Sequence, residues 1–420
     1  MFARTVVRRT LLTMLASAAC FAVQTAQAST VAVGPCPTAY VTFSGIQLAI
    51  NAVPAGSTIK ICPGNYYEQI SITKKLTLEG IAYGSDDAVV VYPPAAGLAQ
   101  NTTDARGAVA AQILVQGASP VSIINLTVDG TGNGISCGPD VRGILYQDAS
   151  GTVDHVAARN EVPDEVPTGC QSGQGIMVET TSSNSATLTV ENSSVHNYNK
   201  NGIVARYAGA SLIATGNYVQ GNGVVASGLA AQNGIEIAFN GATGTIKNNT
   251  VIDNIYGDPT IATSSDILLY DAKENGGIVV SGNIVGNSQD AIGLYTDAAP
   301  GTYGDGVTVS ANKIFGNSTG DAIDVCTNGN TVTGNTVFNT GESAVHLDSS
   351  CGSTGNNNTV TGNVVLESAC AGYLIDSGTT GNGTPSGTFY TVPFATANTI
   401  ASCTIPSEAT RAKTAAKVQP

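Results

Sequence analysis

The stretch from Asn312 to Cys326, Asn-Lys-Ile-Phe-Gly-Asn-Ser-Thr-Gly-Asp-Ala-Ile-Asp-Val-Cys, decides the fold, because both of its halves recur along the chain. The opening Asn-x-Ile step with its second Asn at 317 returns as Asn217-Tyr-Val219 with Asn222, Asn249-Thr-Val251 with Asn254, and, at shorter spacing, Asn283-Ile-Val285, Asn335-Thr-Val337 and Asn363-Val-Val365. Successive leading asparagines lie 32, 34, 29, 23 and 28 positions apart. A unit of that length is one coil of a stacked solenoid with loops of varying size. Each unit holds short alternating runs of β-favouring residues bounded by Gly, Asn, Ser and Thr, so the units are strands. An Asn at a fixed place tolerates a left-handed corner, and its amide can donate to one neighbouring coil while accepting from the other. A ladder of such residues holds parallel strands in register. A polar-rich sandwich would place Asn-Gly dipeptides in hairpins rather than repeat one rung.

Outward from this repeat, the N-terminal segment carries one helical stripe, Phe43, Ile46, Ala49, Ile50 and Val53, with Ser44 and Gln47 placed for a capping box. The period then switches to two through Ile59, Ile61, Ile70, Ile72, Leu76 and Leu78. This entry segment, with Val53-Pro-Ala-Gly56, Pro63-Gly64, Tyr66 and Glu68, resembles the right-handed parallel β-helix family, the pectin-lyase-like superfamily. The resemblance implies an all-β, single-stranded right-handed parallel β-helix solenoid whose open end is plugged by a helix at about 43–53. Between Gly80 and Val141 the pattern loosens. Strands are expected at Val89–Val91, Ile113–Val115 and Val121–Val128, with a long loop over one face.

Arg4, Arg8 and Arg9 precede an apolar run, and Ala26-Gln27-Ala28 forms a signal-peptidase site, so residues 1–28 read as a cleaved signal and the protein as secreted or periplasmic. No later segment is long enough to span a bilayer. The solenoid domain is expected over 29–403, followed by a disordered tail at 404–420. Eight cysteines remain, in neighbouring pairs one coil apart: Cys36 with Cys62, Cys137 with Cys170, Cys326 with Cys351 and Cys370 with Cys403. With three His and no Cys-x-x-Cys, a structural metal is not expected. Without the signal the chain carries 14 basic against 30 acidic side chains, a net charge of −16. Nucleic acid is excluded as a partner. An acidic polysaccharide would need Ca²⁺ as a bridge, and no other cofactor is expected.

Stacking the strands GILYQ (143–147), GIMVE (175–179), GIVAR (202–206), GIEIA (234–238), DILLY (266–270), AIGLY (291–295), AIDVC (322–326) and AVHLD (344–348) puts second and fourth residues in the core. The third and fifth then face outward as two columns, and a strand over Tyr373–Asp376 would add Asp376. Two groups emerge. Glu179, Arg206, Glu236 and Tyr270, with Tyr295 and Asp376 further along, are candidate substrate-binding residues on an exposed groove. Asp324, His346 and Asp348 are candidate catalytic residues, an imidazole between carboxylates suited to glycosidic-bond or uronate chemistry. His155 and His196 read as ordinary polar turn residues, and Asp86-Asp87 and Asp164-Glu165 as solvated loop acids. Gly64-Asn-Tyr66-Tyr-Glu68 looks like an element of pectin methylesterases, but the catalytic motifs of esterases, polygalacturonases, pectate lyases and alginate epimerases are missing. The expectation is therefore a monomeric exported protein that binds, or also modifies, polysaccharide along its outward strand face. If an enzyme, it would be a polysaccharide lyase, glycoside hydrolase or uronate epimerase; otherwise it is a surface or periplasmic scaffold with a protein partner.

Overall fold

Alternation with a period of two sends every second side chain of a strand to the same side, and here that side is one narrow core. In the computed structural model, which describes residues 27–81, 87–181, 184–299, 301–317, 319–351, 354–392 and 397–398, a typical coil consists of the strands Asp140–Gln147, Gly151–Asp154 and Ala157–Glu161. The first strand of each coil pairs parallel with that of the next in a 13-stranded front sheet. The other two strands of each coil run into a 24-stranded sheet bent around the remaining sides. The solenoid is a right-handed parallel β-helix. Ile144, Ile176, Ile203, Ile235, Ile267, Ile292 and Ile323 pair in register up the front sheet and are all buried. Each such side chain contributes about 1.5–3 kcal/mol of burial energy. The expected second and fourth columns are therefore the core.

The Asn ladder is present, with one correction. Asn217, Asn249, Asn283, Asn312, Asn335 and Asn363 are all buried, and each of the first five donates both its backbone N–H and its Nδ2 to the Oδ1 of the next, at 2.9–3.0 Å. The same Nδ2 also donates to a backbone carbonyl, as from Asn312 to Val280 at 3.0 Å. None of the six is itself left-handed. The residue before each one is: Gly216, Asn248, Gly282, Ala311, Gly334 and Gly362 have φ between 55° and 69°. The corner is turned one position earlier, which leaves the rung Asn in ordinary backbone geometry with its amide aimed along the stack.

The end cap also departs from expectation. The helix is Ile46–Ala52 and buries Ile46, Ala49 and Ile50, but its N-cap is Gly45 and no side chain of Ser44 caps it. Phe43 lies instead in the two-residue strand Thr42–Phe43. Glu68 does the capping from the next coil, its carboxylate accepting from Ile46 N–H at 2.7 Å and Gln47 N–H at 2.8 Å. Gln47 reaches away to Asn51 and Ser71. The loose region beyond Gly80 contains Val89–Tyr92 as expected and the expected Ile113–Val115 within the strand Gly107–Gln116, whose start pairs antiparallel with Thr102–Asp104 where a loop was expected; the expected Val121–Val128 is broken at left-handed Asn125 into Val121–Ile124 and Thr127–Asp129.

Disulfides join Cys36 to Cys62, Cys137 to Cys170 and Cys326 to Cys351, each across one coil. Cys370 is disulfide-bonded, whereas Cys403, the signal up to residue 26, the tail at 404–420 and Asp86 lie outside the described residues. Among the described residues no helix is long and apolar enough to cross a membrane. His155 sits in a turn beside Asp154, but His196 is in the strand Ser194–Tyr198, where burial and then Arg159 lower its pKa. Asp87 pairs with Arg159, Asp164 accepts from Gly134 N–H and Glu165 from Ser136, so these acids tie loops down.

Candidate functional site

The third and fifth columns of the front sheet do point away from the coil, but they do not form an open groove. Glu179 and Arg206 are fully buried, and Glu236, Tyr270, Tyr295, Asp324, His346 and Asp348 are each no more than 5 % exposed; of the proposed outward groups only Asp376 is half-buried. The hairpin Thr102–Asp104 straps across the upper columns. Asp104 pairs with the Arg142 guanidinium, and Gln147 Nε2 donates to the Thr103 carbonyl at 2.8 Å.

Beneath this strap lies the first group, with altered pairings. Glu179 was expected to meet Arg206; its Oε2 instead lies 2.8 Å from Arg142 Nη1, and its Oε1 accepts from Gln147. Burial opposes the Arg142 charge, but Asp140, Glu179 and Asp104 outweigh it and raise its pKa, so it stays protonated. Arg206 donates to Asn201 Oδ1 at 3.2 Å and stands 5.4 Å over the Phe239 ring. Glu236 accepts from Asn201 and Asn233. Tyr270 is drawn off to Asp297. These residues form a closed polar layer rather than a contact surface.

The second group is assembled as the stacked register requires. Asp324 and His346 are register partners, and the His346 ring stands between carboxylates: Nδ1 is 3.1 Å from Asp321 Oδ2 and 3.7 Å from Asp324 Oδ1, and Nε2 is 3.2 Å from Asp376 Oδ1. Asp348 lies within the same cluster, beside His346 and Asp376. Burial pushes the Asp376 carboxyl up, but its hydrogen bonds from His346 and Ser349 outweigh that and hold it well below the usual range. Tyr295 Oη sits 2.8 Å from Asp290 Oδ2 and 3.1 Å from Asp324 Oδ2, its ring filling the space that a side chain at Gly293 would take. Burial first, then Asp290 and Asp324, keep that phenol protonated. Two subsets, Asp321 with Asp324 and His346, and His346 with Asp348 and Asp376, have ligand atoms close enough to share a cation. Cys326, Asp348 and Cys351 also cluster, but the two sulfurs are joined to each other.

The open space lies beside the strap. A trough of about 630 Å³ is lined by Thr102, Thr103, Gln116, Gln147, Thr181, Tyr207 and Asn240, and a second of about 430 Å³ lies between the hairpin residues Arg106 to Ala108 and the segments at Pro139 and Gln171. Thr103, Gln116, Thr181 and Asn240 are exposed, and Tyr207 is half-buried with a left-handed backbone at φ 73°.

Solved structures share this architecture. The GH136 lacto-N-biosidase from Eubacterium ramulus superposes with a TM-score of 0.54 at 11% identity, covering 87% of this chain and 68% of that one. The shared fold is the right-handed parallel β-helix. The Dettilon tailspike protein matches with a TM-score of 0.50 at 14% identity, over 80% of this chain and 62% of the tailspike. No protein-family model and no curated protein matches the sequence.

The stacked strands place Gln147 outward, but its bond to Thr103 and the roles of Asp104 and Arg142 are not legible in the repeat, because they depend on a strap folding back onto the sheet. Sequence reasoning missed Asp290 and Asp321 although a signal was present. Both stand in an Asp-Ala-Ile triplet at the start of a front strand, one column before those stacked.

Proposed function

We propose that this chain is an exported glycan-binding β-helix protein whose contact surface is the trough beside the strap. The observation that carries this reading is the lining of the trough: hydroxyls and amides of Thr103, Gln116, Gln147, Thr181 and Asn240 around the half-buried Tyr207. Sugar hydroxyls both donate and accept, as amides and hydroxyls do, and a ring face takes the apolar side of a pyranose. The only carboxylate in the lining, Asp104, is already paired with Arg142. A neutral polysaccharide therefore fits best, while an acidic one would need Ca²⁺ against a chain whose net charge without residues 1–28 is −16. Kinship of fold with a lacto-N-biosidase supports a glycan ligand by analogy alone.

Retention on immobilised neutral and acidic polysaccharides, with and without Ca²⁺, tests this. Neutral polymer is expected to retain the protein without Ca²⁺, and Tyr207→Ala or Asn240→Ala to release it with an unchanged melting temperature. Equal retention of both variants would remove the trough from the reading. Any chemistry on the bound chain is assigned to Asp324, His346 and Asp348, beside half-buried Asp376; product analysis after long incubation distinguishes an enzyme from a binder.

A further inference from the structure

We propose that Asp321, Asp324 and His346 form a binding site for one divalent transition-metal cation of the zinc or manganese type, held by Asp321 Oδ2, Asp324 Oδ1 and His346 Nδ1. These three atoms all lie within 4.8 Å of one another, with Nδ1 3.1 Å from the first oxygen and 3.7 Å from the second. Ligand atoms bonded to one metal at about 2.1 Å are separated by roughly 3.0 Å at an octahedral right angle and roughly 3.4 Å at a tetrahedral one. The two Nδ1 edges lie about 0.3 Å to either side of the tetrahedral value.

Independent support comes from the outer shell, where each ligand has its other polar atom tied by a separate group. Asp321 Oδ1 accepts from Ser343 N–H at 2.9 Å, and Asp324 Oδ2 from Tyr295 Oη at 3.1 Å. His346 Nε2 faces Asp376 Oδ1 at 3.2 Å, and Asp376 is itself fixed by Ser349 N–H and Oγ at 3.1 Å. A carboxylate behind the second nitrogen of a histidine fixes the tautomer that presents the first nitrogen to a metal. Oriented in this way, one oxygen of each aspartate and one nitrogen of the ring converge on a point. Asp348 adds a further carboxylate beside His346. An imidazole in the set selects a first-row transition ion over Ca²⁺ or Mg²⁺. The site lies several coils from the trough and does not depend on glycan binding there.

The experiment strips the full chain with EDTA, exchanges it into chelator-free buffer and titrates Zn²⁺ or Mn²⁺ by calorimetry. One cation per chain is expected, with a rise in melting temperature that EDTA reverses and that excess Ca²⁺ does not reproduce. Co²⁺ is expected to give a visible absorption band that Asp324→Asn and His346→Gln abolish. Asp376→Asn, at a half-buried position that is not a ligand, is expected to weaken binding about tenfold or more. Should the two ligand variants fail to fold, the stoichiometry and Co²⁺ band of the unsubstituted chain and the Asp376→Asn titration still decide. Absence of uptake by the stripped chain, or undiminished uptake by Asp324→Asn and His346→Gln, overturns the site and leaves protons to neutralise the cluster.

Discussion

The Asn ladder and the outward columns of the front sheet are two stacks built on the same coils, and they achieve polar satisfaction in opposite ways. In the ladder every rung is the same residue making the same bonds, so Asn217 through Asn363 form one uninterrupted series. In the columns the rung changes along the stack, and identical neighbours such as Tyr270 and Tyr295 are exceptions. Leu145, Met177 and Val204 give way to Glu236, and Asp324 and His346 appear three and four coils later. Satisfaction there comes from outside the repeat, from the strap and from residues at strand starts. A repeated rung holds the scaffold together, and a column that breaks the repeat is where a site can be built.

Breaking the columns should cost most. Arg142→Met leaves Asp104, Asp140 and Glu179 around an uncharged side chain, and loss of one partner from a buried ion cluster costs about 3–5 kcal/mol. Urea unfolding checks this, and a loss below about 1 kcal/mol would mean that the cluster is not held by charge. The ladder comes next. Asn312→Ala strips the acceptor from both Asn283 N–H and Asn283 Nδ2 and the donor from the Val280 carbonyl. The expected cost is about 1–3 kcal/mol. An unchanged melting temperature would show that the rungs are decoration.

A smaller effect, about 1 kcal/mol, is expected from Glu68→Ala, which uncaps the Ile46–Ala52 helix. Hydrogen exchange should quicken at Ile46 and Gln47 first; protection equal to the parent's would place the cap elsewhere.

The smallest effect separates burial from pairing. Glu161 is fully buried, neither carboxyl oxygen has a hydrogen-bond partner, and burial, with Asp129 adding, lifts its pKa well above the ordinary value. A folded pKa raised above the unfolded value of about 4.3 contributes stability that is whole below that pH and is lost as pH rises towards the folded value. Glu161→Gln, which cannot ionise, should therefore melt at the parent's temperature near pH 4 and above it at pH 8. The opposite trend in a pH series of melting curves would mean that Glu161 is charged and paired in the folded chain.

Much of the molecule was legible before folding, and where legibility stopped has a physical reason. The alternation that buries Ile323 and Val325 also fixes that Asp324 faces out, so the juxtaposition of Asp324 with His346 could be read from register. Exposure could not. Outward was taken to mean solvent-facing, whereas loops from other coils close over the columns, and burial depends on contacts distant in sequence. The Ser44 capping box failed for the same reason: local pattern proposed a cap, and a carboxylate from the next coil, Glu68, was better placed.

The coil, the rung and the core columns are all written in the chain, because they follow from nearest-neighbour stacking of one repeated unit, and a repeat announces its own partner. Only the tertiary structure decided that Arg142 rather than Arg206 pairs with Glu179, that the Thr102–Asp104 hairpin straps the face, and that Asp290 and Asp321 join His346 and Tyr295. Those contacts occur once each. A non-repeating contact between loops and strand ends is set by the path of the chain in space, and no periodicity in the sequence records it.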